Sequence, residues 1–370
     1  MLRPDTDDYL QVFLNDLPLI DTRAPVEFAK GAFTQSVNFP LMTDDERHLV
    51  GTRYKEAGQE AAIALGRSLV GPELQQQRTR LWAEFARKNP QGFLYCFRGG
   101  LRSRITQDWM AETGVEYPYI KGGYKAMRRF LIDRLEQDVE RVPVVLISGR
   151  TGTGKTLLLN RIKRSLDLEG LANHRGSSFG PMSSPQPTPI NFENNLAVGL
   201  LKLTVEDAVS TVYVEGEGRQ VGSLSIPAPL RDKMAVAPTL VLEADIETRI
   251  DIAIDDYVID LLAQIQRQHP GEAGFERFAD RHRTSLFNIQ KRFGSERFKT
   301  AAMMLEDAVS AHRNQGQLLQ YRPFIKLLLQ QYYDPMYDYQ LSRRQAKVLC
   351  QGDQTTLVEW LKHNNVELDP

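Results

Sequence analysis

The feature that most constrains the fold is a glycine-rich loop at residues 149–156, GRTGTGKT. It matches the pattern G-x-x-x-x-G-K-[ST] at every fixed position. The apolar segment PVVLISG leads into the loop, and LLLNRIKRSL, which follows it, is predicted to be a helix. A loop of this kind between a strand and a helix is typical of phosphate-binding domains. The sequence therefore predicts an α/β domain built on a mostly parallel sheet.

The residue types of this loop explain how it would hold phosphate. Glycines let the backbone curl until successive N–H groups point at phosphate oxygens, and the helix N-terminus adds its positive end. Lys155 is expected to reach the outer phosphates, and Thr156 to hold Mg²⁺ if a metal is used. The loop does not specify its ligand, which could be a nucleotide or another diphosphate. The predicted phosphate-binding residues are Gly149, Thr151, Gly152, Thr153, Gly154, Lys155 and Thr156.

Two further strands are predicted after this loop, STVYVEGE at 210–217 and APTLVLEAD at 237–245. Glu215 and Glu217 end the first of them, where a carboxylate could bind Mg²⁺ or orient a water; the alternative is a solvated acidic turn. Segment 176–192 is rich in Gly, Ser and Pro and predicts a long loop, of the kind that is usually functional or mobile. From about residue 248 the pattern is helical to the end of the chain.

Length and composition set broad limits. A chain of 370 residues suggests two domains, and 42% hydrophobic with 25% charged residues is an ordinary globular composition. Because the formal net charge is −1, a nucleic-acid site would have to be a local patch. Two cysteines form neither a disulfide framework nor a Cys-x-x-Cys zinc pattern. The N-terminal segment lacks a signal-peptide core and no apolar run reaches membrane-spanning length, so we expect a cytoplasmic protein without membrane attachment.

A second glycine loop surrounds Cys96 in the segment FLYCFRGGLRSR, residues 93–104. Cys96 and Arg102 have the spacing Cys-x5-Arg and lie where the strand LYCF meets the helix RSRITQDWM. Backbone N–H groups of such a loop stabilise a thiolate and bind an anion beside it. We therefore predict Cys96 as a nucleophile; its predicted partners are catalytic Arg98 and Arg102 and an anion-binding loop of Gly99, Gly100 and Ser103. The alternative is a buried structural cysteine.

Two chemistries use this arrangement. Cysteine phosphatases attack phosphate esters with it, and rhodaneses carry persulfide sulfur on a similar loop. The flanking segments LIDTRAPVEFAKGAFTQSVNFP (19–40) and YIKGG (119–123) resemble the N-terminal signature and the closing strand of rhodaneses, although Ala32 stands where a His is common. Asp21 and Arg23 of the first segment are predicted to form a structural ion pair. The resemblance implies a rhodanese-like parallel-sheet domain.

A rhodanese-like domain joined to a P-loop domain resembles the bacterial tRNA 2-selenouridine synthase family, over nearly the whole chain. The motifs that carry the resemblance are the Cys96–Ser103 loop, KGGYKAMRRF, GRTGTGKT, LEGLANHRGSSFG and VEGEGRQVG, in which Gly218 stands where the family often has Ser. We therefore predict a rhodanese-like domain at 1–137, the core of a P-loop NTPase-like α/β domain at 138–247, and a helical C-terminal part at 248–370, a candidate tRNA-binding region.

The resemblance implies a transferase that acts on tRNA. The family converts 2-thiouridine at the wobble position to 2-selenouridine, by geranylating the sulfur with geranyl diphosphate and then exchanging the thio group for selenium from selenophosphate. This implies Cys96 as the selenium carrier, and a P-loop that binds a diphosphate or tRNA phosphate rather than hydrolysing ATP. Selenophosphate and geranyl diphosphate are the implied co-substrates, Mg²⁺ is a candidate cofactor, and a selenophosphate-supplying enzyme is a candidate partner besides tRNA.

A tRNA partner requires a basic surface, and residues 274–299 hold seven Lys or Arg against three acids, with five interleaved Phe. Basic residues neutralise phosphates and aromatic rings stack on unpaired bases, but the Phe could equally be core and the charges a solvated face. Candidate tRNA contacts are Arg281, Arg283, Lys291 and Arg292 in this segment, and Lys125, Arg128 and Arg129 in YKAMRRF. Candidate substrate or metal contacts are His174, Arg175, Ser177, Glu215, Glu217 and Arg219.

Two other functions remain open from the sequence. One is a tRNA-independent sulfurtransferase or cysteine-dependent phosphatase fused to a P-loop kinase. The other is a non-enzymatic RNA- or nucleotide-binding regulator with an inactive rhodanese domain. The intact Cys96 and the complete P-loop favour an enzyme.

Overall fold

The computed structural model describes residues 3–205, 207–342 and 347–369. The chain forms two compact units, one made of residues 1–137 and 188–202 and the other of residues 138–187 and 203–370. Residues 188–202 fall within the predicted P-loop domain in sequence but cluster with the first unit in the structure. No helix in the described part of the chain is both long enough and apolar enough to cross a lipid bilayer.

The first unit is built on a short parallel sheet. Its central strand β1 pairs in parallel with β2 on one side and β3 on the other. Tyr119 continues the sheet through a parallel bridge to Leu94, so the predicted strand EYPYIKGG is present only as isolated bridges. The elements of residues 9–141 are α1 (Tyr9–Leu14), β1 (Leu19–Asp21), α2 (Pro25–Lys30), β2 (Ser36–Asn38), α3 (Asp44–Leu69), α4 (Pro72–Lys88), β3 (Phe93–Tyr95), α5 (Leu101–Glu112) and α6 (Gly123–Arg141).

A buried ion pair fixes the loop after β1, as predicted. Arg23 donates to Asp21 with an Nη2–Oδ2 distance of 2.6 Å, and both side chains are almost completely buried. Arg23 also donates to the Gly31 carbonyl at 2.8 Å, and the Tyr95 hydroxyl donates to Asp21 at 2.8 Å. These bonds satisfy both buried charges, which is the condition for tolerating them in a core. The pair is therefore structural.

Residues 188–202 complete the first unit from a distant part of the chain. The Ala32 N–H donates to the Asn191 side-chain oxygen at 2.7 Å, and Asn194 donates back to the Ala32 carbonyl at 3.0 Å. Phe192 and Leu196 of the same segment are fully buried. This segment therefore supplies both hydrogen bonds and apolar surface to the first unit.

The second unit contains a five-stranded, fully parallel sheet in the order β10-β9-β4-β6-β5. The three strands predicted as PVVLISG, STVYVEGE and APTLVLEAD are confirmed as β4, β6 and β9, which lie side by side and carry buried apolar residues on both faces. The elements of residues 144–242, apart from α9 (Pro189–Thr204), which lies mostly in the first unit, are β4 (Val144–Ser148), α7 (Lys155–Leu159), β5 (Ser165–Leu166), α8 (Leu168–Ala172), β6 (Val212–Glu215), β7 (Gln220–Val221), β8 (Leu224–Ser225), α10 (Ala228–Val236) and β9 (Thr239–Leu242).

The rest of the second unit is a helical assembly with its own apolar core. Buried residues from α11 to the second π-helical turn pack together in it. Its elements are α11 (Ile246–Ile254), a π-helical turn (Asp255–Asp260), α12 (Leu261–Gln268), α13 (Glu272–Phe293), α14 (Ser295–Gln315), α15 (Tyr321–Leu328), a second π-helical turn (Leu329–Tyr333), α16 (Asp334–Ser342), β10 (Val348–Gly352) and α17 (Gln354–His363).

Two sequence predictions are wrong in this unit. The chain is not helical to its end, because Val348–Gly352 forms the edge strand β10 beside β9. The helix after the P-loop is also shorter than the predicted LLLNRIKRSL, since α7 ends at Leu159. The following backbone pairs elsewhere: Ile162 bridges to Leu368, and the Lys163 N–H donates to the Glu367 carbonyl at 3.1 Å. Tertiary pairing therefore overrides local helix propensity there.

Candidate functional site

The glycine loop at 149–156 joins β4 to α7, as its motif predicts. Gly152 has a φ of +80°, and a Cβ there would lie 2.8 Å from the Arg249 carbonyl, so the loop requires glycine at that position. The Lys155 ammonium curls over the loop and donates to the Gly149 carbonyl at 3.0 Å. This holds a positive charge at the loop whose backbone N–H groups would receive phosphate.

The buried ion pair of Arg249 and Asp334 holds the backbone of this loop in place. The Arg249 Nε donates to the Thr151 carbonyl at 2.9 Å, and the same guanidinium binds the Asp334 carboxylate at 2.6 and 3.0 Å. The Arg249 side chain is only 4% exposed. The loop conformation is therefore tied to α11 and α16, the elements that carry these two residues.

A cluster of three carboxyl groups lies beside the phosphate loop. The buried Glu215 accepts from the Thr156 hydroxyl at 3.0 Å and from the Glu169 N–H at 2.9 Å, while the Glu169 and Glu217 side chains share a hydrogen bond. Burial, and then the charges of Glu215 and Glu217, raise the pKa of Glu169 to about 9. Burial, and then the charge of Asp167, raise the pKa of Glu215 to about 8. These raised pKa values favour the neutral forms of Glu169 and Glu215 at pH 7, which reduces the repulsion that the cluster would exert on a bound phosphate.

The loop, Glu169 and Glu217 line a cleft of about 2020 Å³ inside the second unit. Its size exceeds the roughly 300–1,000 Å³ of ordinary small-molecule pockets, so it has room for more than a diphosphate. Many of the residues singled out from the sequence lie on its walls: Gly149, Thr151, Gly152, Gly154, Lys155, Thr156, His174, Arg175, Ser177, Glu217, Arg219, Lys291 and Arg292. Thr153 and Glu215 lie beneath the surface instead.

The segment from His174 to Met182 forms one wall of this cleft and is anchored at several points. His174 is buried, burial lowers its pKa, and its Nδ1 has no hydrogen-bond partner. Arg175 forms ion pairs with Asp256 at 2.9 Å and Asp260 at 3.3 Å. Arg281 donates to the Met182 carbonyl. The structure thus gives Arg175 and Arg281 positioning contacts within the protein.

The basic helix α13 also contributes residues to the lining of the cleft. Arg283 is engaged with Glu306 at 2.7 Å and with Asp280 at 2.9 Å. Lys291 and Arg292, two turns further along, line the cleft, and Arg292 donates to the sulfur of Met336 at 3.4 Å. The predicted basic segment therefore divides into an ion-paired part and a cleft-lining part.

The Cys96 loop of the first unit joins β3 to α5, again as predicted. Cys96 is buried, with 3% of its surface exposed. The loop is held against the Gly122–Gly123 turn: the Tyr124 N–H donates to the Cys96 carbonyl at 2.9 Å, and a Cβ on Gly99 would lie 2.4 Å from the Ile120 carbonyl. The first N–H groups of α5 have no partner within a helix, and the loop presents them after Gly100.

The charged and polar residues of this loop have distinct surroundings. Arg102 binds the Glu27 carboxylate at 2.8 Å, and Arg47 binds the same group at 3.2 Å. Burial opposes ionisation of Glu27, but the hydrogen bond and charge of Arg102 hold its pKa below the usual value. Arg98 is exposed, whereas Ser103 is buried and its hydroxyl has no hydrogen-bond partner.

The other basic candidates of the first unit lie on α6. Lys125 is exposed. Arg129 is also exposed and pairs with Asp133 one turn later at 2.9 Å. Arg128 is different, because it binds Glu193 and the Asn194 side chain and so helps to hold segment 188–202.

Comparison with known proteins identifies the family. A family model described as the tRNA 2-selenouridine synthase AAA domain matches residues 142–368. A protein of Marinobacter nauticus named tRNA 2-selenouridine synthase is 48% identical over 97% of this chain and 98% of its own length. This chain belongs to the tRNA 2-selenouridine synthase family. The resemblance stated from the sequence motifs is confirmed.

Other relatives of the same name agree with this assignment. The tRNA 2-selenouridine synthase of Hahella chejuensis is 48% identical over 98% of this chain and 95% of its own. That of Pseudomonas fluorescens Pf-5 is 47% identical over 98% of this chain and 99% of its own. Among solved structures, an N-terminal domain from Clostridium difficile 630 is 32% identical over 31% of this chain and 88% of its own, with a TM-score of 0.29.

One residue of this tRNA 2-selenouridine synthase family member was missed from the sequence. Glu169 lies inside the motif LEGLANHRGSSFG, yet only His174, Arg175 and Ser177 were singled out there. The structure shows its carboxyl bonded to Glu217 and its N–H bonded to Glu215. Its position in the sequence could have identified it, because Glu169 is an acidic residue inside a motif that the family resemblance already linked to the P-loop. In the structure it is the second residue of α8.

Proposed function

We propose that this protein is an enzyme that converts 2-thiouridine at the wobble position of tRNA to 2-selenouridine. The observation that carries the proposal is the match, over nearly the whole chain, to relatives named tRNA 2-selenouridine synthase. The geometry supports it with two separate anion-binding loops, one beside a cysteine and one beside a lysine. Two such loops suit a reaction that uses two phosphate-bearing co-substrates.

The first step is assigned to the second unit. The sulfur of 2-thiouridine attacks the first carbon of geranyl diphosphate, a carbon–sulfur bond forms, the carbon–oxygen bond breaks, and diphosphate leaves with its electron pair while the base loses its N3 proton. Lys155 and the loop N–H groups would hold the diphosphate and stabilise its developing charge. The raised pKa values of Glu169 and Glu217 reduce the negative charge beside the loop and so support binding of an anion there.

The second step is assigned to Cys96 as selenium carrier. If the Cys96 thiolate takes selenium from selenophosphate, the sulfur–selenium bond forms as the selenium–phosphorus bond breaks, the electron pair stays on phosphorus, and phosphite leaves. The outer selenium of Cys96 then attacks C2, a carbon–selenium bond forms, and the carbon–sulfur bond breaks so that geranyl thiol departs. A low-molecular-weight thiol attacks the Cys96 sulfur and breaks the sulfur–selenium bond, which leaves the electron pair on the selenium of the nucleoside. A second thiol reduces the resulting mixed disulfide and returns Cys96 to the thiolate. The loop N–H groups from Gly99 to Ser103 would hold the phosphorus oxyanion. Phosphate in place of phosphite in a ³¹P NMR spectrum would instead mean that Cys96 attacks phosphorus and releases selenide.

Mg²⁺ would fit at the phosphate loop. The Thr156 hydroxyl and the Glu215 carboxyl group lie 3.0 Å apart, and hydroxyl and carboxylate oxygens are the ligands that Mg²⁺ prefers beside phosphate. Because burial raises the pKa of Glu215, binding of Mg²⁺ there would displace the proton of this carboxyl group. Within residues 3–205, 207–342 and 347–369, no group of three or more His, Cys, Asp or Glu side chains is arranged to hold a metal by itself. A bound Mg²⁺ would neutralise diphosphate charge, and phosphate oxygens would complete its coordination.

Nucleoside mass spectrometry tests the proposal. The intact protein is incubated with 2-thiouridine tRNA, geranyl diphosphate and selenophosphate, alongside Cys96→Ala and Lys155→Met variants. We expect selenouridine from the intact protein, geranylated but unselenated nucleoside from Cys96→Ala, and neither from Lys155→Met. Absence of selenouridine from the intact protein would refute the proposal. Robust ATPase activity without tRNA would refute the assignment of the P-loop to diphosphate.

A further inference from the structure

One exposed aromatic residue distinguishes itself within the basic segment 274–299. Of its five Phe residues, Phe275, Phe278 and Phe293 are buried and Phe298 is partly buried. Phe287 is 65% exposed. The structure therefore answers the question that the sequence left open, since four rings are core and one is presented to solvent.

The surroundings of Phe287 are basic. It lies on α13 one residue before Asn288 and one turn before Lys291, so its ring shares a helix face with the lysine. Asn288, Lys291 and Arg292 line the cleft that contains the phosphate loop. Residues 281–295 contain no Asp or Glu. Asp280, which directly precedes this stretch, forms an ion pair with Arg283. Acidic residues of other elements also line the cleft, among them Glu217 and Asp256, so the positive charge next to Phe287 is a property of α13. An exposed ring beside basic residues of the same helix matches the chemistry of a single-stranded nucleic acid.

We propose that Phe287 is a stacking platform for an unpaired tRNA base, next to the residues of α13 that line the phosphate-loop cleft. Lys291 and Arg292 contact the phosphates of the same nucleotides, and together they steer the unpaired strand toward the cleft. This inference rests on the proposed function, because it names how the tRNA substrate of that site is held. It assigns Phe287 to binding and orientation, not to bond making.

The experiment measures the affinity of the full-length protein for an anticodon stem–loop RNA at several salt concentrations. Phe287→Ala is compared with Phe287→Tyr. Met303→Ala serves as the control because Met303 is similarly exposed, at 64%, but lies on α14, and no residue of α14 lines the cleft. Stacking on one ring contributes about 1–3 kcal/mol, so Phe287→Ala should weaken binding about 5- to 150-fold. Phe287→Tyr should keep the affinity of the unmodified protein for the stem–loop, because it keeps the aromatic ring, and Met303→Ala should also bind with unchanged affinity.

The salt dependence separates stacking from charge. Phe287→Ala should leave the slope of log affinity against log salt unchanged, because a ring releases no counterions. Lys291→Gln should reduce that slope by about 0.7, the value for one phosphate contact on a single strand. The loss in Phe287→Ala should also disappear when the probe is a fully paired RNA duplex.

Each result decides the matter. Unchanged stem–loop affinity in Phe287→Ala, or an equal loss on duplex RNA, would overturn the inference. A change in sedimentation behaviour without a change in RNA affinity would assign the ring to contact between copies of the chain and would also overturn it. If the unmodified protein binds no tRNA, the proposed function itself fails, which is a distinct outcome.

Discussion

Replacing Gly123 by alanine should disrupt the Cys96 loop. Gly123 has a φ of +58°, and a Cβ there would lie 2.3 Å from the Cys96 carbonyl oxygen and 2.4 Å from the Gly99 nitrogen. The left-handed conformation costs alanine about 1–2 kcal/mol, and forced repacking adds about 1–3 kcal/mol. We therefore expect Gly123→Ala to lower the free energy of unfolding of the first unit by about 2–5 kcal/mol.

Two other glycines of the first unit provide matched controls. Gly114 has a φ of +75° but open space around its Cβ position, so alanine there should cost only the conformational part, about 1–2 kcal/mol. Gly100 has a negative φ and open space, so Gly100→Ala should stay within about 0.5 kcal/mol of the unmodified protein. The open space beside Gly100 is where an anion bound in the loop would lie, so the added methyl group of Gly100→Ala should nevertheless lower selenium transfer.

Urea unfolding followed by tryptophan fluorescence gives the comparison. The chain has three Trp, at positions 82, 109 and 360, so a Trp360→Phe background makes fluorescence report on the first unit alone. The reactivity of Cys96 toward a thiol reagent, measured with Cys350 replaced by Ser, should rise in Gly123→Ala as the loop opens. Equal free energies of unfolding of Gly123→Ala and Gly114→Ala would show that the close packing of the Gly122–Gly123 turn does not hold the Cys96 loop in place.

Three further predictions concern other contacts. Asp334→Asn leaves the buried Arg249 charge without its partner and should cost the second unit about 3–5 kcal/mol by thermal unfolding; an unchanged Tm would contradict this. Glu27→Gln releases Arg102 and should reduce Cys96-dependent turnover at least tenfold while costing about 1–3 kcal/mol, and normal turnover would show that Arg102 needs no positioning. Burial lowers the pKa of His282 to about 4 in the folded protein. Because the imidazole takes up a proton at higher pH in the unfolded chain than in the folded protein, the free energy of unfolding decreases as pH falls from 6.5 toward 4. The loss should be about 2 kcal/mol between pH 7 and pH 5, and His282→Gln should flatten that slope in denaturation curves.

Local motifs made much of the fold predictable. The P-loop and the Cys96 loop each combine a short apolar strand, glycines and a helix start within about fifteen residues, so their conformations follow from nearby sequence. The strand β10 did not follow in the same way, since it pairs with β9 more than one hundred residues earlier in the chain. Nothing local distinguishes such an edge strand from a short apolar stretch between helices.

The spacing of apolar residues along α13 partly predicts which of its aromatic side chains are buried. Phe275, Phe278, Leu286, Ile289 and Phe293 follow a helical repeat and are buried, and Phe287 falls out of phase with them. The hydrogen bond of Arg281 to the Met182 carbonyl and the ion pair of Arg283 with Glu306 could not be predicted, because these partners come from the segment at Met182 and from α14. Charge in a sequence gives no indication of whether it is already paired in three dimensions.

The return of segment 188–202 to the first unit has a consequence for how this protein is made. A ribosome synthesises the phosphate loop before it synthesises Asn191 and Asn194, which satisfy the backbone of Ala32. The cysteine-bearing unit therefore stays incomplete until residue 202 has emerged, by which time part of the second sheet is already available to fold. A chain cut at residue 137 would lack Phe192 and Leu196 and expose the apolar surface that they cover. The two units are interwoven along the chain and cannot be exchanged between relatives at a single junction.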